Sequence, residues 1–352
     1  VYDMGSALGA FGQYSMLLSD GRDPSTLESQ AQNVGGGGFL GKYFVKTFEA
    51  LNKNVLKKPC KVIALDNYIT STEHDLQSSE HITIRRHDVI DNYIPDAPID
   101  YILHAAGIAS PQFYRAYPLE TLDVAVKGTR NMLNLAKENK TRILYFSSSE
   151  IYGDPDSKFV PTPEVYRGNV ACIGPRACYD ESKRLGETLC HIYLTQHDVH
   201  TNIVRPFNVY GPGMAQNDYR VLPNFAAKIV QEQHLVVYGA GIQTRTFCYV
   251  TDAINGFLRV LALGESGEPY NIGNPTPEIS MLQLCEKLTT ILKRPVKFDL
   301  RPYPDSYPGD EPMRRCPDIS KARRGVGYEP TVSLDDGLTR FFRWAFDTYT
   351  KI

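Results

Sequence analysis

A doubly wound α/β fold, one parallel sheet covered on both faces and followed by a smaller loop-rich lobe, is predicted by three features of the 352-residue sequence. Apolar β-rich runs alternate with helical stretches through the first two-thirds of the chain. A glycine-rich loop opens directly into a helix near residue 38. Beyond about residue 205 Pro and Gly become frequent, and the helices are fewer and shorter. Strand, helix, strand in this rhythm calls for parallel pairing under helical layers, the Rossmann-type arrangement. The predicted division is an N-terminal extension over 1–30, a Rossmann domain over 31–205 to which 236–262 returns, and a C-terminal lobe over 206–352. Loop-rich lobes of this kind are where ligand contacts concentrate.

The elements follow in order. "NVGGGGFLGKYF" spaces Gly35, Gly38 and Gly41 three apart, with Phe39 and Leu40 between the last two. Such a loop lets backbone approach a pyrophosphate whose charge sits at the helix N-terminus. The segment before it, "STLESQAQNV", is polar, which predicts either a short and poorly formed first strand or an irregular entry to the glycine loop. The second strand, "KVIALDN" (61–67), ends in Asp66 and Asn67. An acid there accepts hydrogen bonds from an adenosine ribose and repels a 2′-phosphate, so NAD is the predicted cofactor. The third strand (82–89) ends in Asp88-Val89, placed to edge an adenine, and the fourth (101–106) ends in Ala105-Ala106. A helical pattern over 118–139 leads to the strand "RILYFSSS" (142–149).

That strand sets Ser147, Ser148, Ser149 and Glu150 at its C-terminal edge, where open α/β sheets bind ligands. Ser hydroxyls there can bond a substrate hydroxyl. A helix over 178–198 follows and carries Tyr179 and Lys183 four positions apart, on one face. A free phenol has a pKa near 10. A neighbouring ammonium favours its charged form and makes it a base near neutrality. The chain closes on an amphipathic helix begun by "SLDD", with Ser333 as its predicted N-cap.

Taken together, "ASPQFY" (109–114), "SSSEIYGDP" (147–155), "IGPRACYDESKR" (173–184), "RPFNVYGPGM" (205–214), "VYGAGIQTRTFCYVTD" (237–252), "YNIGNP" (270–275) and "RRCPDISKAR" (314–323) carry a resemblance. The chain resembles the extended short-chain dehydrogenase/reductases that modify nucleotide sugars, and among them those that decarboxylate UDP-glucuronate. The resemblance spans roughly residues 34 to 345. It implies oxidative decarboxylation of UDP-glucuronate to UDP-xylose through a 4-keto intermediate. Tyr179 is then the base, Lys183 its activator, and Ser148 a hydroxyl partner beside Ser149. Glu150 is the acidic group near the reacting carbons. It also implies substrate contacts from Ser110, Tyr114, Arg176, Asn208, Tyr238, Arg245 and Arg314, and a homodimer formed through a four-helix bundle from 118–139 and 178–198. Two positions depart from the family, Ala125 and Ala171, where Asn is usual. The same residues also suit a UDP-hexuronate or other nucleotide-sugar 4-epimerase, or a catalytically weakened NAD-binding relative.

Composition narrows the partners. Lys+Arg 38 against Asp+Glu 40 gives a net charge of −2, which predicts no general attraction to nucleic acid or anionic membranes. No apolar run approaches the roughly 20 residues of a membrane span. The opening residues lack a basic n-region and apolar core, and the 7 cysteines are scattered without a CxxC pair. These features predict a cytoplasmic chain with reduced thiols and no metal site.

Overall fold

The computed structural model describes residues 31–34, 38–71, 76–303 and 312–350. The extension over 1–30 and Gly35 of the glycine loop lie outside them. The chain begins with β1 (Ala31–Val34), α1 (Phe39–Asn54), β2 (Val62–Asp66), β3 (Ile82–Arg86) and β4 (Tyr101–His104). Then come α2 (Pro111–Ala116), α3 (Pro118–Asp123), a π-helical segment (Val124–Gly128), α4 (Thr129–Asn139) and β5 (Arg142–Phe146). A 3-10 turn (Ser149–Tyr152), the long α5 (Ala177–His197) and β6 (Thr201–Pro206) complete the first part. The helix predicted over 118–139 is therefore three pieces, and its π segment contains Ala125.

Seven parallel strands form the main sheet in the order β11-β6-β5-β4-β1-β2-β3, where β11 is Pro269–Ile272. The polar β1 is short, as predicted, but it is not poorly formed. Its four residues pair in register with Val62–Leu65 on one side and Tyr101–His104 on the other. Two flanking ladders satisfy its backbone, so its order does not depend on an apolar sequence. Chain order reverses between β1 and β4, and the carboxyl ends of the strands there border a ligand crevice.

Strand alternation sorts the core into two layers. Along β5, Leu144 and Phe146 point to one face and Ile143 and Tyr145 to the other. The first face is sealed by Phe44 of α1 and Phe257 of α7 (Val250–Leu263), whose rings lie 5.7 and 4.9 Å from Phe146. On the other face Met132, Leu133 and Cys190 close over Ile143 and Tyr145. Each large side chain buried in this way stabilises the fold by about 1.5–3 kcal/mol relative to exposure.

Beyond β6 the chain makes β7 (Val209–Tyr210), α6 (Val221–Val230), β8 (Leu235–Tyr238), β9 (Thr244–Arg245) and β10 (Cys248–Tyr249). Later elements are β12 (Ile279–Ser280), α8 (Met281–Leu292), β13 (Phe298–Arg301), β14 (Arg314–Arg315), α9 (Ser320–Val326) and α10 (Leu334–Thr348). The return predicted over 236–262 starts later. β8 pairs with β13 in the lobe, whereas α7 packs on β5, β6 and α1, and β11 then adds an edge strand beside β6. Ser333 caps α10 through a 3.2 Å bond accepted from Asp336 N. No helix among the described residues is long and apolar enough to cross a membrane.

Candidate active site

The crevice at the carboxyl ends of β1, β2, β3 and β4 is lined by Gly38, Asp66, Asn67, Asp88, Val89, Ala105 and Ala106, all predicted cofactor residues. Phe39, Leu40 and Gly41 form the first turn of α1 behind it, where no side chain caps the helix. The strand tips are held in place by their own polar groups. Asp66 Oδ1 accepts from Tyr68 N at 2.7 Å and from Ser71 Oγ at 3.1 Å. Asn67 Nδ2 donates to Asp88 Oδ2 at 2.9 Å. An uncapped helix start, an acid at the β2 tip and a glycine floor are the donor and acceptor set that a dinucleotide needs. At Gly107 an added Cβ would stand 3.0 Å from Lys183 Nζ, so the crevice floor keeps room by lacking a side chain.

A smaller cavity continues the crevice inward, sharing Ala106, Gly107, Ile108 and Val124 and ending on Ala125, Tyr179, Ser182 and Lys183. Both members of the predicted pair therefore line the inward continuation of the crevice. Lys183 is buried and donates from Nζ to Phe146 O at 2.8 Å. Tyr179 is buried too, with its ring stacked on Tyr114 at 5.3 Å between centroids.

Their electrostatics differ from the prediction. The expectation was that the ammonium of Lys183 makes the phenol basic. Instead burial pushes the Tyr179 phenol up to about 12, aided by the charges of Glu150 and Asp180, while a hydrogen bond with Ser148 and the charge of Arg220 offset part of the rise. Burial also lowers Lys183 to about 8. The physical reason is desolvation: at this depth it outweighs any pull from a lysine whose nitrogen stands 5.8 Å from the ring centre.

Glu150 is the anchor of a second group. The 3-10 turn that follows β5 starts with Ser148 as its cap, Oγ accepting from Glu150 N at 3.2 Å. Ser149 and Ser147 are buried beside it, the Ser147 hydroxyl without a partner. The Glu150 carboxylate bonds Arg176 and is gripped by Arg315, whose Nη2 lies 2.7 Å from Oε2. Burial opposes its ionisation, but Arg315, Arg176 and Arg245 more than offset that, so the carboxyl stays below its usual range. Asp180 joins from α5, its Oδ2 at 3.6 Å from Arg176 Nε.

The remaining predicted residues divide. Ser110 donates to Asp218 at 3.5 Å, Asn208 Nδ2 donates to Thr246 O at 2.8 Å, and Arg245 is buried with its charge acting on Glu150. Tyr238 stacks on Tyr303 at 5.5 Å, at the β8–β13 pair. Arg314 does not reach the Glu150 group. It makes a two-pronged ion pair with Glu278 at 2.8 and 2.6 Å, and its neighbour Arg315 takes the inward place. Side chains alternate along a strand, so one residue of β14 faces the site and the next does not. Sequence reasoning missed Arg315, Asp180 and Arg220. The adjacent pair "RR" signalled one inward arginine, but a two-residue strand gave no period from which to choose it. Among the described residues, no group of three or more His, Cys, Asp or Glu side chains is placed to hold a metal.

Residues 34–273 match the model of the NAD dependent epimerase/dehydratase family. The chain is 41% identical over 307 residues to UDP-glucuronic acid decarboxylase 3 of Arabidopsis thaliana, covering 86% of this chain and 85% of that protein. Among solved structures it resembles an epimerase from Methanothermobacter thermautotrophicus, with a TM-score of 0.77 at 27% identity over 92% of this chain and 96% of that one. A UDP-glucuronic acid 4-epimerase from Bacillus cereus, solved with UDP-glucuronic acid and NAD, matches with a TM-score of 0.74 at 25% identity, covering 91% of this chain and all of that one (100%). With its crevice, its Tyr–Lys pair and this match over most of its length, the chain belongs to the NAD dependent epimerase/dehydratase family.

Proposed function

We propose that this protein converts UDP-glucuronate to UDP-xylose with NAD, through a 4-keto sugar. One observation carries the choice of sugar: two largely buried arginines, Arg176 and Arg315, converge on Glu150, whose charge reaches the Tyr179 phenol. A pair of guanidinium groups beside the base is the recognition chemistry of a carboxylated sugar. The 41% identity to a plant UDP-glucuronic acid decarboxylase supports the same reading.

NAD bound in the crevice of Gly38, Asp66 and Asn67 would supply the reversible redox chemistry at C4 of the sugar, a hydride acceptor first and a hydride donor last. The chain's own part is orientation and proton handling. Tyr179 acts in its ionised form, in which its Oη takes the proton of the sugar 4-hydroxyl, and the hydrogen bond from Ser148 to that oxygen favours the ionised form against burial. Lys183, fixed on Phe146 O, holds its charge near the phenol and would donate to the cofactor ribose. Arg176 and Arg315 seat the carboxylate at C5. Once C4 is a ketone, the C5–carboxyl bond breaks and its electron pair moves into the ketone as an enolate. CO2 leaves, C5 gains a new proton from solvent, and Tyr179 gives its proton back to the C4 oxygen as the ketone is reduced. Substrate contacts are assigned to Ser110, Tyr114, Asn208, Tyr238 and Arg245.

Incubating the purified protein with UDP-glucuronate and NAD+, and identifying products by mass, tests the reading. UDP-xylose with CO2 supports it. UDP-galacturonate without CO2 would make the protein a 4-epimerase, and unchanged substrate would make it an inactive relative.

The assembly that fits is a homodimer through a four-helix bundle of α3–α4 and α5 with their copies. Leu119, 72% exposed, and Leu185, 39% exposed, supply apolar surface on these helices. Sedimentation at micromolar concentration should give twice the chain mass, and a monomer would refute the bundle. A cytoplasmic location is supported by the seven cysteines, all of them thiols.

A further inference from the structure

Two carboxyls share the buried cluster around Arg176 and Arg315, and they are held unequally. Glu150 engages both guanidinium groups. Asp180 approaches Arg176 Nε at 3.6 Å, and its buried Oδ1 has no hydrogen-bond partner. Arg315 Nε is likewise buried and unpartnered. The charges facing Asp180 are Glu150 on the 3-10 turn, Arg315 on β14 and Arg176 at the start of its own helix. The other titratable groups around it are Tyr114 on α2, with Cys178 and Tyr179 on α5.

A sugar carboxylate seated on Arg176 and Arg315 is a third anion in this cluster. Like charges at such range cannot all stay ionised in a desolvated site, and the least-held acid gives way first. That acid is Asp180. We propose that Asp180 is a positioning residue for carboxylated sugars: as the sugar carboxylate seats, Asp180 takes a proton from solvent, so that its own charge no longer opposes the incoming carboxylate beside Arg176. This rests on the reading of UDP-glucuronate as substrate. Burial and the charge of Glu150 already raise Asp180 to about 7, against the pull of Arg176 and Arg315, so the proton is available near neutrality.

The test compares UDP-glucuronate with UDP-xylose, which shares the nucleotide and lacks the carboxylate. Binding to the protein loaded with NADH, which blocks oxidation, is measured by calorimetry at pH 8 in two buffers of different ionisation enthalpy. The expected result is uptake approaching one proton with UDP-glucuronate and none in excess of background with UDP-xylose. Lys183 titrates near the same pH, and any uptake that falls on it persists in Asp180→Asn. That variant should remove most of the difference. Equal uptake for the two ligands, or a difference undiminished in Asp180→Asn, would overturn the proposal. If that variant does not fold, the wild-type protein decides. Its Kd for UDP-glucuronate, relative to UDP-xylose, should rise by up to about tenfold per pH unit above pH 7, and a constant ratio overturns the role. Proton uptake with UDP-glucuronate released unchanged in the presence of NAD+ would refute the proposed reaction alone.

Discussion

Lys183 Nζ donates to the carbonyl of Phe146 at 2.8 Å, tying the second turn of α5 to the last residue of β5. The bond fixes where Tyr179, one turn earlier on the helix, stands against the crevice. Tyr179→Phe keeps the ring stacked on Tyr114 and removes only the oxygen. Turnover should fall by about 10²–10⁴ or more while NAD remains bound, as read by steady-state kinetics and cofactor fluorescence. Unchanged turnover would remove Tyr179 as the base.

Arg315 and Arg314 are adjacent in sequence and opposite in placement. Arg315→Ala should lower kcat/KM for UDP-glucuronate by about 10²–10³, because it takes away a charge-assisted, two-pronged partner in a buried site. Arg314→Ala breaks a half-exposed pair with Glu278 and should cost less than about tenfold. Reversed magnitudes would put Arg314 in the site.

His104 gives a pH dependence of stability. Burial first, and then the charge of Lys183, lower it to about 3, and its Nε2 meets Thr129 Oγ1 at 3.0 Å. Between this value and the ordinary 6.5 the unfolded chain binds a proton that the folded chain does not, so stability is complete above pH 6.5 and drains as pH falls toward 3. From pH 6.5 to pH 5 the loss is about 2 kcal/mol. Urea unfolding at both values should show that loss in the wild-type protein and less of it in His104→Gln. Equal slopes would contradict the assignment.

Gly186 is a packing requirement of α5. A Cβ there would lie 1.9 Å from the Tyr145 hydroxyl, so the helix or the ring must move. Gly186→Ala should destabilise by about 1–3 kcal/mol and reduce turnover by displacing Tyr179. A thermal midpoint within a degree of wild type would show that the contact yields easily.

Much of this was legible in the sequence, and the gaps have physical causes. The order of strand-end residues, Asp66, Asp88, Ala105-Ala106, Ser148 and then Tyr179 and Lys183, follows from topology. A parallel sheet gathers its carboxyl edges whatever the loops do. The order of β1 was not legible, because a strand paired on both sides is held by backbone bonds that composition does not reveal. Nor was the rise of the Tyr179 phenol, because desolvation depends on what lies above the ring, here Tyr114 from another helix. The choice of Arg315 over Arg314 turned on a two-residue strand whose facing only the tertiary pairing of β14 with β9 defines.

The edge strand β11 is delivered to the main sheet from beyond residue 268, and Phe257 from α7 closes over Phe146. Severing the polypeptide after β6 would strip that strand's outer ladder and uncover an aromatic layer, leaving a fragment inclined to aggregate. The two halves are thus stitched rather than strung together. New sugar preferences in such an architecture have to arise by altering the segments between the stitches, since exchanging one half for another would unpick the sheet itself.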